Sequence, residues 1–162
     1  MTYKLDSYST NLKSDVFLIS SSTGNTAGSR WNITKKSGKT YNTSVTINAS
    51  NNLVLPSGSS YYIMASPIAR QASKLGKVSF QLYDETNSQY IGNEAEINIG
   101  GRTNSTVLQG QKACRAFIQS GDITGSDIEV SLKVVSVTAA GFTFAAGLFT
   151  YVGFPSLSVL EV

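Results

Sequence analysis

The sequence predicts an all-β protein, a two-sheet antiparallel sandwich of jelly-roll type. Three observations predict it. The 162-residue chain holds 24 Ser, 15 Thr and 11 Asn beside 14 Gly, types that crowd turns and exposed strand faces rather than helices. Apolar and polar residues alternate with a period of two in one segment after another. No window of helical length carries a helical apolar period, so almost no helix is expected. Apolar residues make up 41% of the chain, enough for one core, and the length suits one domain.

Residues 1–13 lack a strand pattern and read as an N-terminal arm ahead of a domain at 14–162. Strands are expected at Val16–Ile19, Arg30–Lys36 and Thr43–Asn48. Leu55-Pro56-Ser57-Gly58 then reads as a turn, with Pro presetting one backbone angle and Gly free to adopt positive φ. Ser60–Arg70 follows as a strand. In Val78-Ser79-Phe80-Gln81-Leu82-Tyr83-Asp84 the alternation is clearest, with Val78, Phe80 and Leu82 on one face. Asp84-Glu85-Thr86-Asn87-Ser88 turns the chain into Tyr90–Ile99, and Gly100-Gly101 reads as the next turn. Lys112–Gln119 runs to a turn at Ser120-Gly121-Asp122. Ile128–Val134 places Ile128, Val130, Leu132 and Val134 inward and Glu129, Ser131 and Lys133 outward. The doublet Val134-Val135 breaks that phase and predicts a bulge. Ser156–Val162 closes the chain. Roughly eight to ten strands in one domain point to a jelly roll.

Composition also excludes chemistry. The chain has no His, which removes Ser-His-Asp, Cys-His and His-ligated metal sites. Its one Cys, Cys114, lies in an alternating run and reads as a buried small hydrophobe rather than a reactive thiol. A net charge of +3 is too small and dispersed for a nucleic-acid partner, and Lys35, Lys36 and Lys39 read as a solvated edge strand. No cofactor is expected. The start, Met1-Thr2-Tyr3-Lys4-Leu5-Asp6, lacks a leader's apolar run, so synthesis in the cytoplasm is expected. Val134 to Leu160 are 27 uncharged residues, long enough to span a bilayer, but Gly141, Gly147, Gly153 and Pro155 interrupt them. They read instead as buried strand and loop, with no membrane span. So much uncharged surface calls for cover, and a neighbouring subunit would supply it.

Other residues offer chemistry that competes with plain structural roles. Glu94-Ala95-Glu96 sets two carboxylates on one strand face, about 6.5–7 Å apart by strand rise, within reach of glycosidase spacing. Acids at i and i+2 are more simply a wet strand face. Asp84, Glu85, Asn87 and Glu94, or Asp122 with Asp127, offer hard oxygens for calcium, but turn chemistry explains them and no calcium-loop spacing is present. Sequons at Asn32, Asn42, Asn48 and Asn104 are what so Ser/Thr-rich a chain holds by chance. Tyr61, Tyr83 and Tyr90 are candidates to stack on a host glycan or to contact a receptor, with core or rim packing as the competing reading.

Leu55-Pro56-Ser57-Gly58-Ser59-Ser60-Tyr61-Tyr62-Ile63-Met64-Ala65-Ser66-Pro67 resembles the LPAGTYYIEASAPA segment near the ends of many phage tail-fibre proteins. Gln81-Leu82-Tyr83-Asp84-Glu85-Thr86-Asn87-Ser88 resembles that family's RLYNVTDS, in order and at the right separation. Gly28-Ser29-Arg30-Trp31 parallels its GAWRTRDLNT, and Gln109 to Phe117 sits where it has TRSFIKGRF. The resemblance covers about residues 14–162. It implies a C1q/TNF-like jelly roll, assembled as a homotrimer and used as a virion knob. The family's glycine-phenylalanine-glycine region is replaced here by Gly141-Phe142-Thr143-Phe144-Ala145-Ala146-Gly147, so loop function does not carry over.

Composition and resemblance together predict an interface at Tyr62, Met64, Phe117, Phe142, Phe144 and Phe149, the alternative being that these fill the subunit's own core. The expectation is a non-enzymatic structural protein of a phage particle. It would decorate or cement the capsid through its arm (Thr2, Tyr3, Leu5 and Tyr8), with the major capsid protein as partner. The alternatives are a receptor-binding tail tip recognising a host surface glycan or protein, and a glycan-cleaving enzyme using Glu94 and Glu96.

Overall fold

The computed structural model describes residues 12–22, 26–35, 40–67, 69–71, 76–102, 105–109, 113–119, 125–138, 142–144 and 156–161. Among these described residues there is no helix. The strands are β1 (Lys13–Ser22), β2 (Arg30–Thr34), β3 (Thr46–Ile47), β4 (Leu53–Leu55), β5 (Tyr61–Ser66) and β6 (Ala69–Gln71). They continue as β7 (Gly76–Asp84), β8 (Gln89–Arg102), β9 (Ser105–Gln109), β10 (Cys114–Ile118), β11 (Ile128–Val137), β12 (Phe142–Phe144) and β13 (Ser156–Glu161).

The strand pairs are antiparallel, and all but β6 and β12 belong to one eleven-stranded sheet. Four pairings are nested in the chain: β1 with β13, β4 with β11, β5 with β10, and β7 with β8. Two further pairings, β13 with β5 and β11 with β7, join them into halves ordered β1-β13-β5-β10 and β4-β11-β7-β8. β2 links the halves by pairing β1 on one side and β11 on the other. The halves face each other, with β10 packed on β7 and β8, an arrangement consistent with a β-sandwich.

Period-two alternation explains what lies between them. Phe17 and Ile19, Tyr61 and Ile63, and Leu157 and Val159 come inward from one half; Val78, Phe80, Leu82, Val130 and Leu132 come from the other. All belong to one buried cluster, and each such side chain contributes about 1.5–3 kcal/mol when fully buried. Trp31 meets Phe80 edge-on with ring centroids 5.8 Å apart. Cys114 is buried in the same cluster, and desolvation pushes its thiol up to about 12.

Two irregularities shape the sheet. The bulge expected at Val134-Val135 is present, as a register shift between Val134 and Ser136 against β7. A larger one lies in β8. Phe80 pairs with Ala95 and Leu82 with Ile91, so Gln81 alone opposes Gly92, Asn93 and Glu94. Gln81 Nε2 donates to the Gly92 carbonyl at 2.8 Å. Gly92 has φ +71°, and a Cβ there would overlap the Arg115 carbonyl oxygen of β10. Beside it, Asn93 Oδ1 accepts the Arg115 N–H at 2.8 Å, and Asn93 Nδ2 donates to the Ala113 carbonyl at 3.4 Å. One side-chain amide thus serves the β10 edge as a neighbouring strand would.

Several expected boundaries move, each for a physical reason. Lys13, expected in the arm, is the first residue of β1 and pairs with Glu161. The strand expected at Ser60–Arg70 is two strands, because Pro67 has no N–H for the ladder and β6 pairs elsewhere, with β12. Gly100-Gly101 is strand rather than turn, laddered to Val107 and Thr106. At Thr43–Asn48 only Thr46–Ile47 is strand. The residues before it are held by two buried carboxylates instead. Asp15 Oδ2 accepts the Asn42 and Thr43 N–H groups at 2.8 and 2.6 Å, and Glu161 accepts the Ser44 N–H at 2.6 Å and its hydroxyl at 2.9 Å. β4 was not expected and completes one half of the sheet. The uncharged stretch 134–160 begins in β11 and ends in β13, and no helix among the described residues is long and apolar enough to cross a membrane. The turn at Ser120-Gly121-Asp122 and residues Lys36 and Lys39 lie outside the described residues.

Candidate functional site

The outward face of β1, β13, β5 and β10 is built by the same alternation that fills the core. β5 reads Tyr-Tyr-Ile-Met-Ala-Ser and is apolar on both faces: Tyr61, Ile63 and Ala65 go inward, leaving Tyr62 and Met64 outward. Register then assembles two rows across four strands. One runs Val16, Ser158, Met64, Arg115; the next runs Ser14, Leu160, Tyr62, Phe117. Phe117 is 56% exposed, Val16 43% and Tyr62 36%, while Met64, Leu160 and neighbouring Leu18 are half-buried. Arg115 is the only charged side chain in these rows, at their edge. An antiparallel sheet normally keeps one face dry and one wet; this outward face exposes Val16, Tyr62 and Phe117 among Ser14, Ser158 and Arg115.

The outward face of the other half is its opposite. Glu85 accepts the Ser131 hydroxyl at 2.7 Å and pairs with Lys133 at 3.1 Å and Arg30 at 3.6 Å. Desolvation pushes the Glu85 carboxyl up, but the Ser131 and Lys133 hydrogen bonds and the Lys133 and Arg30 charges outweigh it and hold it below its ordinary value. Lys133 Nζ also lies 3.3 Å from the centre of the Tyr83 ring, and Tyr83 meets Tyr90 edge-on at 5.0 Å. Glu129 accepts the side-chain amides of Asn48 and Asn52 at 2.8 and 3.2 Å. This face is a connected network of ion pairs and amides in contact with solvent.

No protein-family model matches the chain, and no curated protein does.

Of the expected interface residues, Tyr62, Met64 and Phe117 come together on the apolar face, with Tyr62 directly opposite Phe117. Phe142 and Phe144 lie in β12, which pairs with β6 in a separate two-stranded ladder. Phe149 and the arm residues Thr2, Tyr3, Leu5 and Tyr8 lie outside the described residues. The three tyrosines separate. Tyr61 is not a surface contact: it is fully buried, and its hydroxyl donates to the Pro56 carbonyl at 3.0 Å beside Ser44 Oγ at 3.1 Å. Tyr83 is half-buried and one face of its ring is taken by Lys133, so Tyr90 alone offers an open ring. Glu96 is 3.0 Å from Lys77 Nζ, and Ala95 between the two glutamates turns inward.

The oxygens weighed for calcium have partners in the fold. Asp84 accepts from the Asn87 N–H and side-chain amide at 2.9 and 2.7 Å, and Asp127 accepts the Ser57 N–H at 3.1 Å. Glu94 is exposed in the β8 bulge, and Asp122 lies outside the described residues. Sequence reasoning missed Asp15 and Glu161, although a signal was there. Asp15 is in phase with Phe17 and Ile19, and Glu161 with Val159 and Leu157, so each acid rides an apolar stripe. Asp84 likewise follows Val78, Phe80 and Leu82.

Proposed function

We propose that the chain is a non-enzymatic structural protein of a bacteriophage particle, a C1q/TNF-like jelly roll that assembles as a homotrimer. In this reading it decorates or cements the capsid through its N-terminal arm. The observation that carries the proposal is the exposed apolar cluster on the outward face of one half, with Tyr62 and Phe117 side by side on β5 and β10 and Val16 exposed on the same face two strands away in β1. Three copies that turn this face toward a common axis would cover it and leave the Glu85–Lys133 network in water, where ion pairs cost little to keep. The strand order supports the fold. Taking β1, β4, β5, β7, β8, β10, β11 and β13 as strands one to eight, the nested pairs are first with eighth, second with seventh, third with sixth and fourth with fifth. A long hairpin rolled on itself gives that nesting, which is how a jelly roll forms. The phage assignment rests on the motif resemblance around Leu55–Pro67 and Gln81–Ser88.

Sedimentation of the purified chain and imaging of an intact particle test this together. The expected result is a trimer present in many copies at capsid symmetry positions. A stable monomer would remove the assembly, and a location restricted to a tail tip would replace decoration with host recognition.

A further inference from the structure

We propose that residues 41–45 form an acid-released strap over the β1–β13 end of the core, locked down by the Asp15 and Glu161 carboxylates. The strap belongs to no strand, since β3 starts only at Thr46. Its consecutive N–H groups at Asn42, Thr43 and Ser44 go to carboxylates instead of a ladder. Glu161 also gathers hydroxyls on Oε1, from Ser44 at 2.9 Å and from Ser59 at 3.3 Å. One acid of β13 thus ties the strap and the Pro56–Ser59 turn together. Tyr41 stacks on Phe17 with ring centroids 5.1 Å apart, and Val45 is buried in the core cluster, so the strap seals the core at this end.

The lock depends on charge. Asp15 pairs with Val159 and Glu161 with Lys13, so the two buried acids are diagonal neighbours on the inward face of one ladder. Such neighbours lie about 7–8 Å apart. They are only 1% and 7% exposed, so the donors of the strap stand in for water around two like charges. Among the described residues, the other titratable groups around them are Lys13, Tyr61 and Tyr41. Lys13 Nζ is half-exposed and 3.9 Å from Glu161; Tyr61 lies opposite Glu161 on β5; the Tyr41 ring carries Lys35 Nζ at 4.9 Å. Hydrogen bonds to an ionised carboxylate are about twice as strong as those to a neutral one, and a protonated acid has a proton of its own to place. Protonation therefore weakens every N–H contact that holds the strap, while water competes for the same donors. The strap is closed while both acids are ionised and opens as pH falls through their titration. Opening lifts Tyr41 from Phe17 on β1, whereas the β7–β11 ladder contributes nothing to the lock.

The inference does not depend on the trimer, because the lock faces inward. Hydrogen exchange of the full chain at about pH 7 and about pH 4, read by mass spectrometry on peptides covering 40–45 and 78–84, tests it. Protection factors, corrected for the intrinsic pH dependence of exchange, should fall about tenfold or more in the strap and stay within about twofold at 78–84. Glu161→Gln should show the low strap protection at both pH values. Should that variant fail to fold, Ser44→Ala takes one hydroxyl donor from Glu161 and leaves both acids in place; it should release the strap at a higher pH than the parent. Strap protection that acid leaves unchanged, loss at both segments together, or a Ser44→Ala profile identical to the parent's overturns the lock. Sedimentation of the same samples reports separately on assembly, so an acid-released strap in a monomer would count against the trimer alone.

Discussion

A methyl group at Gly92 would have to occupy the position of the Arg115 carbonyl oxygen, in a backbone conformation that L side chains rarely adopt. Gly92→Ala should therefore destabilise the fold by about 2 kcal/mol or more, read as a lowered urea midpoint. Alanine at Gly28, where nothing crowds a Cβ despite the positive φ, should cost less, which separates crowding from backbone strain. In the core, Phe80→Ala and Leu132→Ala should each cost about 2–5 kcal/mol. Both side chains are fully buried and lie in neighbouring rows on one face of the β7–β11 ladder. Neutral results for both would mean that these faces do not bury the core.

Among the elements, β11 best shows what alternation reveals. Its inward set, its outward polar set and its bulge were all readable, because a phase break is a local event. The β8 bulge was not. Tyr90-Ile91-Gly92-Asn93-Glu94-Ala95-Glu96 has no alternation to break, and the reason for the bulge is β10, distant in sequence. The polar face of β11 makes its own prediction. The Glu85 carboxyl is held below its ordinary value of 4.5 in the folded chain. Its stabilisation is therefore fully present above about pH 4.5 and fades as pH falls below that, through the folded value. Acid unfolding followed by circular dichroism should show a shallower loss in Glu85→Gln than in the parent. Identical acid limbs would mean that the Ser131–Lys133–Arg30 cluster adds nothing.

For the whole molecule, the contrast between the two outer faces is the informative quantity. One exposes Val16, Tyr62 and Phe117 with a single cation, Arg115, in the same rows; the other is ion-paired. If the chain assembles as the proposed trimer, Phe117→Asp should lower the sedimentation mass to that of a monomer while leaving the strand signature in circular dichroism unchanged, because this side chain packs outside the core. Lys77→Ala, on the opposite outer face and 54% exposed, should leave the mass unchanged.

Composition and period determined the all-β class, most strand positions and the side chains that face inward, because the direction of a side chain along a strand is a property of the local backbone. Composition and the family resemblance together marked Tyr62, Met64 and Phe117 as interface candidates. That Tyr62 and Phe117 are neighbours, that Tyr61 is sealed inside, and that Asn93 of β8 serves the β10 edge came only with strand pairing. Pairing order depends on which distant segments close the ladder, and no local pattern carries that information.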